Sequence, residues 1–461
     1  MKPAYATKRI AEKMQGQDLP PLVIQSFLHY YHLLAEGHEG MISDVDIDPV
    51  GDVPRLEDLD DAESIGEKAM GKTVVIKLNG GLGTSMGLQR AKSLIAVKDG
   101  LSFLDIIVRQ VFRLRDRYAT SLPLTCMNSF STEVDTQAAL AASYPDLEAG
   151  QPGVPLSFLQ NKVPKIRCDT LEPVDWPEDP SREWCPPGHG DLYTALLCSG
   201  VLERLLERGI RYAFVSNSDN LGAVLEPRIL GWFADSGAPF LMEVTSRTLA
   251  DRKGGHLARF KEGGLLLREA AQCPEVEREA FGDIERYRYF NTNNLWLNLP
   301  ALKEWMEASG GFLKLPLIRN RKELGRTPVF QLETAMGSAL SVFPDARALC
   351  VPRRRFIPVK YTNDLLSLRS DIFELTDRME VQVNPARKGG TVVVDLDPAW
   401  FRDLPAFEER FPHGPPSLID CESLKVIGDH RFGRDVSVEG AVVLENPSSE
   451  PVWLDDGSRL T

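Results

Sequence analysis

Residues 73–87 read TVVIKLNGGLGTSMG and carry the strongest local signal for the fold class. The β-branched run TVVIKL predicts a short buried strand, and the glycines after it predict a tight loop at the end of that strand. Gly80, Gly81 and Gly83 have no Cβ, so the backbone can bend sharply and turn its N–H groups towards an anion. Ligands of open α/β sheets bind outside the carboxyl ends of the strands. The stretch therefore predicts an α/β protein with a phosphate pocket at this loop.

The sequence around this stretch alternates between helix-like and strand-like patterns. Residues 103–119 are strongly amphipathic, and residues 191–208 and 227–235 also show helical periodicity. This alternation predicts a central sheet, mostly parallel, with helices on both faces. The strand-like runs are PLTCMNS (123–129), PLSFLQ (155–160), YAFVSN (212–217), PFLMEVTS (239–246), NLWLNL (294–299) and RFIPVKY (355–361).

The two ends of the chain differ from this central part. Residues 1–40 predict two helical pieces divided by Pro20 and Pro21, and residues 43–67 form an acidic surface connection, with an acidic partner-binding segment as the alternative. After residue 388 the pattern changes to short β-rich runs. We therefore expect an N-terminal helical segment (1–50), a large central domain (51–385) and a β-rich C-terminal domain (386–461).

Charge and composition exclude several classes of function. The chain has 461 residues and a net charge of −13, which argues against a nucleic-acid surface but not against a local nucleotide pocket. Its sequence has no apolar run long enough to span a membrane, and its first residues lack a signal peptide's apolar core. The seven scattered cysteines form no C-x-x-C pair and suggest reduced thiols. We expect a cytoplasmic protein.

Two other phosphate-binding motifs match only in part: one stands in the wrong structural context, and the other has a wrong residue at one position. Residues 66–73, GEKAMGKT, match a P-loop in spelling, but they follow the acidic connection and lead into a strand, where a P-loop follows a strand and opens a helix. A dinucleotide fingerprint fits Gly81 and Gly83 but has Met86 in place of its third small residue. By its composition alone, the loop at Asn79–Gly87 is interpretable either as a phosphate cradle or as a plain glycine turn.

The order of several further blocks narrows these alternatives. The chain resembles the eukaryotic-type UTP–glucose-1-phosphate uridylyltransferases (UDP-glucose pyrophosphorylases) over about residues 72–370, and residues 428–440 resemble that family's C-terminal left-handed β-helix. The blocks are KLNGGLGTSMG (77–87), KSLI (92–95), MNSF (127–130), PPGHGDLY (186–193), FVSNSDNLGA (214–223), MEVT (242–245), KGG (253–255), FNTNNLW (290–296), QLETA (331–335) and PVKYTNDLL (358–366).

The resemblance implies a fold, a reaction and partners. The fold is Rossmann-like (nucleotidyltransferase, GT-A-like): a mixed sheet with helices on both faces, followed by a C-terminal left-handed parallel β-helix. The implied partners are UTP and glucose 1-phosphate with Mg²⁺ as cofactor, and neither nucleic acid nor a membrane. Family members can form homo-oligomers through the C-terminal domain, and the sequence leaves the oligomeric state open.

The resemblance also implies roles for individual residues. Lys92 and Lys360 are implied catalytic cations, and Asp219 is the implied Mg²⁺ ligand, which suits an ion that prefers hard oxygens. Gln160 is implied to read the uracil edge. The other implied nucleotide contacts are Leu78, Asn79, Gly80, Gly81 and Gly188, and the implied substrate contacts are Gly80, Gly81, His189, Asn217, Glu243, Gly254, Gly255 and Asn293.

Each of these residues also has an ordinary structural interpretation. Lys92 and Lys360 are interpretable as surface lysines, and Asp219 as an Asx-turn residue. A histidine such as His189 is more often packed or capping than a ligand. The family usually has Gly-Pro where this chain has Arg90 and Ala91, so the loop is expected to be less rigid here.

The implied mechanism needs no protein nucleophile. A phosphate oxygen of glucose 1-phosphate is already anionic at neutral pH, so the protein has to bring two anions together and stabilise the charge between them. The alternatives are a UDP-sugar or UDP-N-acetylhexosamine pyrophosphorylase, a non-catalytic nucleotide-sugar-binding protein, and a dehydrogenase. His189 disfavours the N-acetylhexosamine enzymes, which typically have Gly-Asn-Gly at this turn.

Overall fold

A computed structural model describes residues 2–461 as a central mixed sheet flanked by helices, followed by small parallel sheets. The α-helices are α1 (Lys2–Gln15), α2 (Pro21–Ala35), α3 (Glu63–Ala69), α4 (Phe103–Tyr118), α5 (Glu133–Ser143), α6 (Pro145–Ala149), α7 (Leu192–Cys198), α8 (Val201–Glu207), α9 (Pro227–Ser236), α10 (Arg278–Phe281), α11 (Leu299–Ala308), α12 (Thr362–Arg369), α13 (Pro398–Phe401) and α14 (Leu404–Arg410).

The strands follow in chain order, with those after residue 390 belonging to the small C-terminal sheets. They are β1 (Ile47–Pro49), β2 (Thr73–Asn79), β3 (Ala96–Lys98), β4 (Leu101–Ser102), β5 (Leu124–Asn128), β6 (Ser157–Leu159), β7 (Val163–Pro164), β8 (Ile166–Arg167), β9 (Trp184–Cys185), β10 (Tyr212–Asn217), β11 (Phe240–Ser246), β12 (His256–Phe260), β13 (Leu265–Arg268), β14 (Tyr289–Asn298), β15 (Ile318–Leu324), β16 (Thr327–Glu333), β17 (Arg347–Cys350), β18 (Phe373–Leu375), β19 (Val381–Val383), β20 (Val393–Leu396), β21 (Cys421–Ile427), β22 (His430–Phe432), β23 (Ser437–Val438), β24 (Gly440–Glu445), β25 (Val452–Leu454) and β26 (Arg459–Leu460).

The large sheet has a parallel half and a mixed half. Its strand order is β1-β12-β14-β10-β2-β5-β6, and the steps β10-β2, β2-β5 and β5-β6 are parallel. β14 is antiparallel to both β10 and β11, and β11 is parallel to β17. The expected mixed sheet is therefore confirmed, whereas the expectation of a mostly parallel sheet holds for the half that contains the glycine loop.

The register of the parallel strands places the loops that follow them at one edge of the sheet. Asn217 of β10 pairs with Leu78 of β2, and Asn79 of β2 pairs with Asn128 of β5. Because these strands are parallel, the segments that follow them leave the sheet at the same edge. The glycine loop and the turn that contains Asp219 are thus neighbours.

Several predicted helices form with small changes. The division at Pro20 is confirmed, since Pro21 begins α2, where a missing N–H costs nothing. The pattern at 191–208 forms two helices, α7 and α8, because Gly200 has a left-handed φ of +71° between them.

The strand expected at RFIPVKY is wrong. Residues Arg353–Arg355 form a 3₁₀ turn, and the following segment makes one isolated bridge, between Pro358 and Asn220. Proline has no N–H to donate to a ladder, so a regular strand does not propagate through Pro358. The segment is nevertheless extended beside the turn that contains Asp219, which matters for the site.

Residues 66–73 do not form a P-loop, as their context predicted, and Gly66 has a packing role instead. Gly66 lies in α3, and a 3₁₀ turn then leads into β2. A Cβ on Gly66 would lie 1.8 Å from the carbonyl oxygen of Pro227, and one on Gly231 would lie 1.9 Å from that of Ala62. These two glycines allow α3 and α9 to pack backbone to backbone.

Each face of the sheet has its own core. Alternation along β2 sends Val75 into the core beneath α4, whereas Val74 and Ile76 enter the core beneath α7 and α8. The first core continues into the C-terminal part, where it includes Phe401 and Leu424. In the C-terminal part, β20-β21-β24, β22-β25 and β23-β26 form small parallel sheets. Within residues 2–461, the helices are too short or too polar to cross a membrane.

Candidate active site

The glycine loop and the predicted uracil reader lie against each other. A Cβ on Gly80 would be 2.9 Å from Nε2 of Gln160, so only glycine lets that amide approach the loop. Ser129, which follows β5, donates its hydroxyl to the carbonyl of Gly80 at 2.9 Å. Gly81 is exposed, and a Cβ there would meet nothing within 4 Å among the described residues. The loop therefore presents an open backbone beside the Gln160 amide.

Asn79 and Leu78 anchor the loop from inside the protein. The Asn79 side chain is buried and donates to Oδ1 of Asn128 at 2.8 Å and to Oγ1 of Thr136 at 2.9 Å. The carbonyl of Leu78 accepts the N–H of Ser218 at 3.0 Å, which joins β2 to the turn after β10. Asn79 thus faces the core with its side chain, and a contact with nucleotide would come from its backbone.

Lys92 and Asp219 form an ion pair at the loop. Lys92 Nζ lies 2.6 Å from Oδ2 of Asp219, with both side chains partly exposed. The backbone N–H of Lys92 also donates to the carbonyl of Gly81 at 3.2 Å. The structure therefore brings together the predicted cation, the predicted metal ligand and the glycine loop.

Lys360 lies on the other side of the same loop. Ser85 donates its hydroxyl to the carbonyl of Lys360 at 2.8 Å, and the N–H of Val359 donates to the carbonyl of Asp219 at 3.3 Å. The side chain of Lys360 is exposed, whereas its N–H is held by Asp364 at 2.7 Å. An ammonium group on a backbone fixed in this way can reach an anion bound by the loop.

The turn at Gly188 and His189 is shaped by a close backbone approach. Gly188 has a φ of +80°, and a Cβ there would lie 2.4 Å from the carbonyl oxygen of Thr334. Nδ1 of His189 accepts the N–H of Met336 at 3.0 Å, so the proton of the neutral ring is on Nε2. Burial lowers the pKa of His189 to about 4. A neutral Nε2–H donor is therefore available at physiological pH.

Asp191 links this turn to the uracil reader, and sequence reasoning did not assign it a role. Its carboxylate accepts the N–H of Asn161 at 2.6 Å and the Asn161 side chain at 2.9 Å. Burial raises the pKa of Asp191 to about 6, although the hydrogen bonds from Asn161 oppose that shift. The signal was its place in PPGHGDLY, two residues after His189. Because Asn161 follows Gln160, this carboxylate fixes the end of the segment that contains the predicted uracil contact.

The predicted sugar contacts are more dispersed. Asn217 is partly buried at the end of β10. Asn293 has a left-handed φ of +57° beside a register shift between β11 and β14, and its Oδ1 accepts from Asn291 at 2.9 Å. A Cβ on Gly254 would lie 2.0 Å from Phe290, and one on Gly255 would lie 2.6 Å from Glu269. Close packing against the Phe290 ring thus requires Gly254 by itself, whereas Gly255 meets only the carboxylate end of the Glu269 side chain.

Glu243 lies inside the protein and not on an open surface. Its side chain has 0% exposure and accepts a bidentate pair from Arg355 at 2.8 and 2.7 Å. The indole N–H of Trp296 and the amide of Asn294 donate to the same carboxylate at 2.9 and 3.1 Å. These partners account for a buried charge without a ligand. The structure does not bring Glu243 to the site, and its predicted sugar contact remains a prediction.

Known proteins match this chain over most of its length. The family model described as UTP–glucose-1-phosphate uridylyltransferase matches residues 24–439. An enzyme of that name from Solanum tuberosum is 41% identical over 411 residues, which is 88% of this chain and 83% of the relative. One from Encephalitozoon cuniculi is 38% identical over 455 residues, which is 98% of this chain and 89% of the relative.

Solved structures agree with these relatives. A UDP-glucose pyrophosphorylase from Leishmania major, described in open and closed forms, superposes with a TM-score of 0.91 at 42% identity and covers 99% of this chain and 98% of its own. A Leishmania major variant in complex with UDP-glucose gives a TM-score of 0.90 at 43% identity, over 98% of each chain. A Trypanosoma brucei homologue gives 0.88 at 41%, over 99% of this chain and 98% of its own.

Proposed function

The chain belongs to the UTP–glucose-1-phosphate uridylyltransferase family, and we propose that the site described above transfers the uridylyl group of UTP to glucose 1-phosphate. The products are UDP-glucose and pyrophosphate, and the reaction is reversible. The observation that supports this site best is the 2.6 Å pair of Lys92 and Asp219, because Lys92 is also bonded through its backbone to the glycine loop.

The chemistry follows from the charges of the two substrates. A phosphate oxygen of glucose 1-phosphate attacks the α-phosphorus of UTP in line, a new P–O bond forms, and the bond to the β-phosphate breaks as pyrophosphate leaves with the electron pair. The attacking oxygen is already an anion, so the protein needs no strong general base. Lys92, Lys360 and the loop amides offset the negative charge that builds up in the transition state.

The nucleotide contacts in this proposal come from the loop and its neighbours. Gln160 reads the uracil edge, since an amide offers one donor and one acceptor together. Leu78, Asn79, Gly80 and Gly81 contribute backbone groups at the end of β2. Gly188, Lys92 and Asp219 complete the set at the adjoining turns.

Asp219 suits one Mg²⁺ ion held jointly with substrate. Lys92 engages Oδ2, while Oδ1 accepts no hydrogen bond within the part of the chain that the structure describes. The same residues contain no cluster of three His, Cys, Asp or Glu side chains. Mg²⁺ usually takes one or two carboxylates together with phosphates and water, so a single carboxylate fits it. The ion would neutralise phosphate charge there.

The sugar phosphate is proposed to lie between the His189 turn and the register shift of β14. His189 presents a neutral donor, Asn217 ends β10, Gly254 and Gly255 precede β12, and Asn293 lies within β14 at that shift. Glu243 supports this region from below through Arg355, which is a different role from the sugar contact that the resemblance implies.

The C-terminal part is proposed to be a left-handed parallel β-helix. Three short parallel pairings in succession support this, but each sheet is small. The division into residues 1–50, 51–385 and 386–461, a cytoplasmic location, the absence of nucleic-acid partners and assembly through the C-terminal domain belong to the same proposal.

A pyrophosphate-release assay tests the function. Purified protein with UTP, glucose 1-phosphate and Mg²⁺ is expected to release pyrophosphate and form UDP-glucose, and chelation of Mg²⁺ is expected to stop both. N-acetylglucosamine 1-phosphate and other sugar 1-phosphates in the same assay define the acceptor. Absence of pyrophosphate release with every acceptor would leave a nucleotide-sugar-binding protein instead.

A further inference from the structure

Two segments of the site are joined outside any regular sheet. One is the turn 217–224, which follows β10 and contains Asp219, and the other is the segment 353–360, which ends at Lys360. Their backbones meet at the isolated bridge between Asn220 and Pro358 and at the bond from Val359 N–H to the carbonyl of Asp219. Few backbone bonds therefore define how far the carboxylate lies from the ammonium.

The side chain of Asn220 supplies a second connection. It is 1% exposed, and its Nδ2 donates to the carbonyl of Arg355 at 3.1 Å. Its Oδ1 accepts the N–H of Ile357 at 2.9 Å. One amide thus binds a carbonyl and an N–H of the segment 353–360 on either side of Phe356. We call this pair of bonds the Asn220 clamp.

Neighbouring groups also hold the two segments: Ser85 and Asp364 bond the backbone of Lys360, and other side chains bond the far end of the turn. Arg355 donates to the carbonyl of Val224 at 2.8 Å, and Lys77 donates to that of Ala223 at 2.9 Å. A Cβ on Gly222 would lie 2.3 Å from the carbonyl oxygen of Arg354, so the two segments touch at that point. These contacts fix the far end of the turn, whereas the clamp acts next to Asp219 and three residues before Lys360.

We propose that Asn220 is a positioning residue that sets the distance between the Asp219 carboxylate and the Lys360 ammonium. The proposal rests on the proposed function, in which both groups act on the triphosphate. Asn220 is buried, and it acts through the side chains of Asp219 and Lys360. A displacement of about 1 Å in a catalytic group can cost about 100-fold in rate, so loss of the clamp affects turnover more than binding.

The test is a double-mutant cycle between Asn220→Ala and Lys360→Ala. In the native background, Asn220→Ala is expected to lower kcat by about 10- to 100-fold, with KM values for UTP and glucose 1-phosphate within about 3-fold. In the Lys360→Ala background the same change is expected to cost less than about 3-fold, because the ammonium that it positions is gone. Equal factors in both backgrounds, or a rise in KM at unchanged kcat, would overturn the proposal.

Two further variants keep the result interpretable. Asn446→Ala removes a buried amide of the C-terminal part that donates to the carbonyls of Asp429 and Glu450 at 2.8 Å, and it controls for a general loss of stability. Its kcat is expected to stay native. If Asn220→Ala does not fold, Asn220→Ser replaces it, since a hydroxyl can satisfy one of the two backbone groups. If the native protein is active and the double-mutant cycle is additive, only the proposal for the Asn220 clamp is rejected. If the native protein is inactive, the proposed function is rejected.

Discussion

The nucleotide side and the sugar side of the site are built from different contacts. On the proposed nucleotide side, hydrogen bonds or an ion pair connect the glycine loop, Lys92, Asp219 and Lys360 to one another. The backbone at Gly81 and the side chain of Lys360 remain exposed there. On the proposed sugar side, Glu243 is bonded by internal partners, and Gly254 is required by its close contact with the Phe290 ring.

The difference shows at which positions of the fold a sequence motif predicts the location of a side chain. Residues that leave the sheet at a strand end are near its carboxyl edge whatever their neighbours, so their position follows from topology. A residue within a strand faces one layer or the other, and its partners come from distant parts of the chain. Glu243 lies in β11, but Arg355 is more than a hundred residues away.

The largest expected effect is on the nucleotide side, with Lys360→Ala. The lost ammonium should lower kcat by about 10²- to 10³-fold, as for other lost charge-stabilising donors. The side chain is exposed, so the melting temperature should change by less than about 2 °C. Steady-state kinetics and calorimetry measure the two effects, with Lys261→Ala, an exposed lysine after β12, as the control. Near-native turnover would remove Lys360 from the mechanism.

On the sugar side, Glu243→Gln should affect stability. Arg355 would lose its buried counter-charge, and the free energy of unfolding should fall by about 3 kcal/mol. The KM for glucose 1-phosphate should stay within a factor of about 3, since the carboxylate reaches no open surface. Denaturant unfolding and substrate titration measure both, with exposed Glu262→Gln as the control. Native stability with a large rise in KM would instead make Glu243 a sugar contact and remove the contrast between the two sides.

A smaller effect is expected when a single methyl group is added at Gly81, where the described residues leave open space. Gly81→Ala adds its methyl where the described residues leave room, so the fold should be unchanged. If the triphosphate lies there, the KM for UTP should rise about 10-fold, the equivalent of about 1.4 kcal/mol. Gly51→Ala, also in open space, is the matched control. An unchanged KM for UTP in Gly81→Ala would place the nucleotide elsewhere.

The smallest expected effect concerns His189, whose ring should not titrate between pH 5 and 8. Because burial lowers its pKa to about 4, the ring loses its proton well below pH 5 and stays neutral above it. In ¹⁵N-histidine NMR spectra, His189 should keep the proton on Nε2 from pH 5 to 8. A midpoint near pH 6.5 for His189 would mean that a charged ring meets the sugar phosphate.

Local sequence was sufficient to predict much of the fold and the neighbourhood of the glycine loop, Lys92 and Asp219. The β-branched run became β2, and the amphipathic stretch at 103–119 became α4, since both patterns match the periodicity of the element. The context of Gly66 correctly excluded a P-loop. RFIPVKY was misread because its apolar residues resemble a strand, while Pro358 and the preceding 3₁₀ turn prevent a ladder.

The strand-loop unit at residues 73–87 and the family could be read from the amino-acid sequence alone, because both depend on near neighbours in the chain. Other features depend on the folded chain: Glu243 is internal, Asp191 holds the segment after Gln160, and Asn220 joins the turn after β10 to the segment 353–360. These roles depend on hydrogen-bond partners 30 to 137 residues apart, and local patterns contain no information about such pairings.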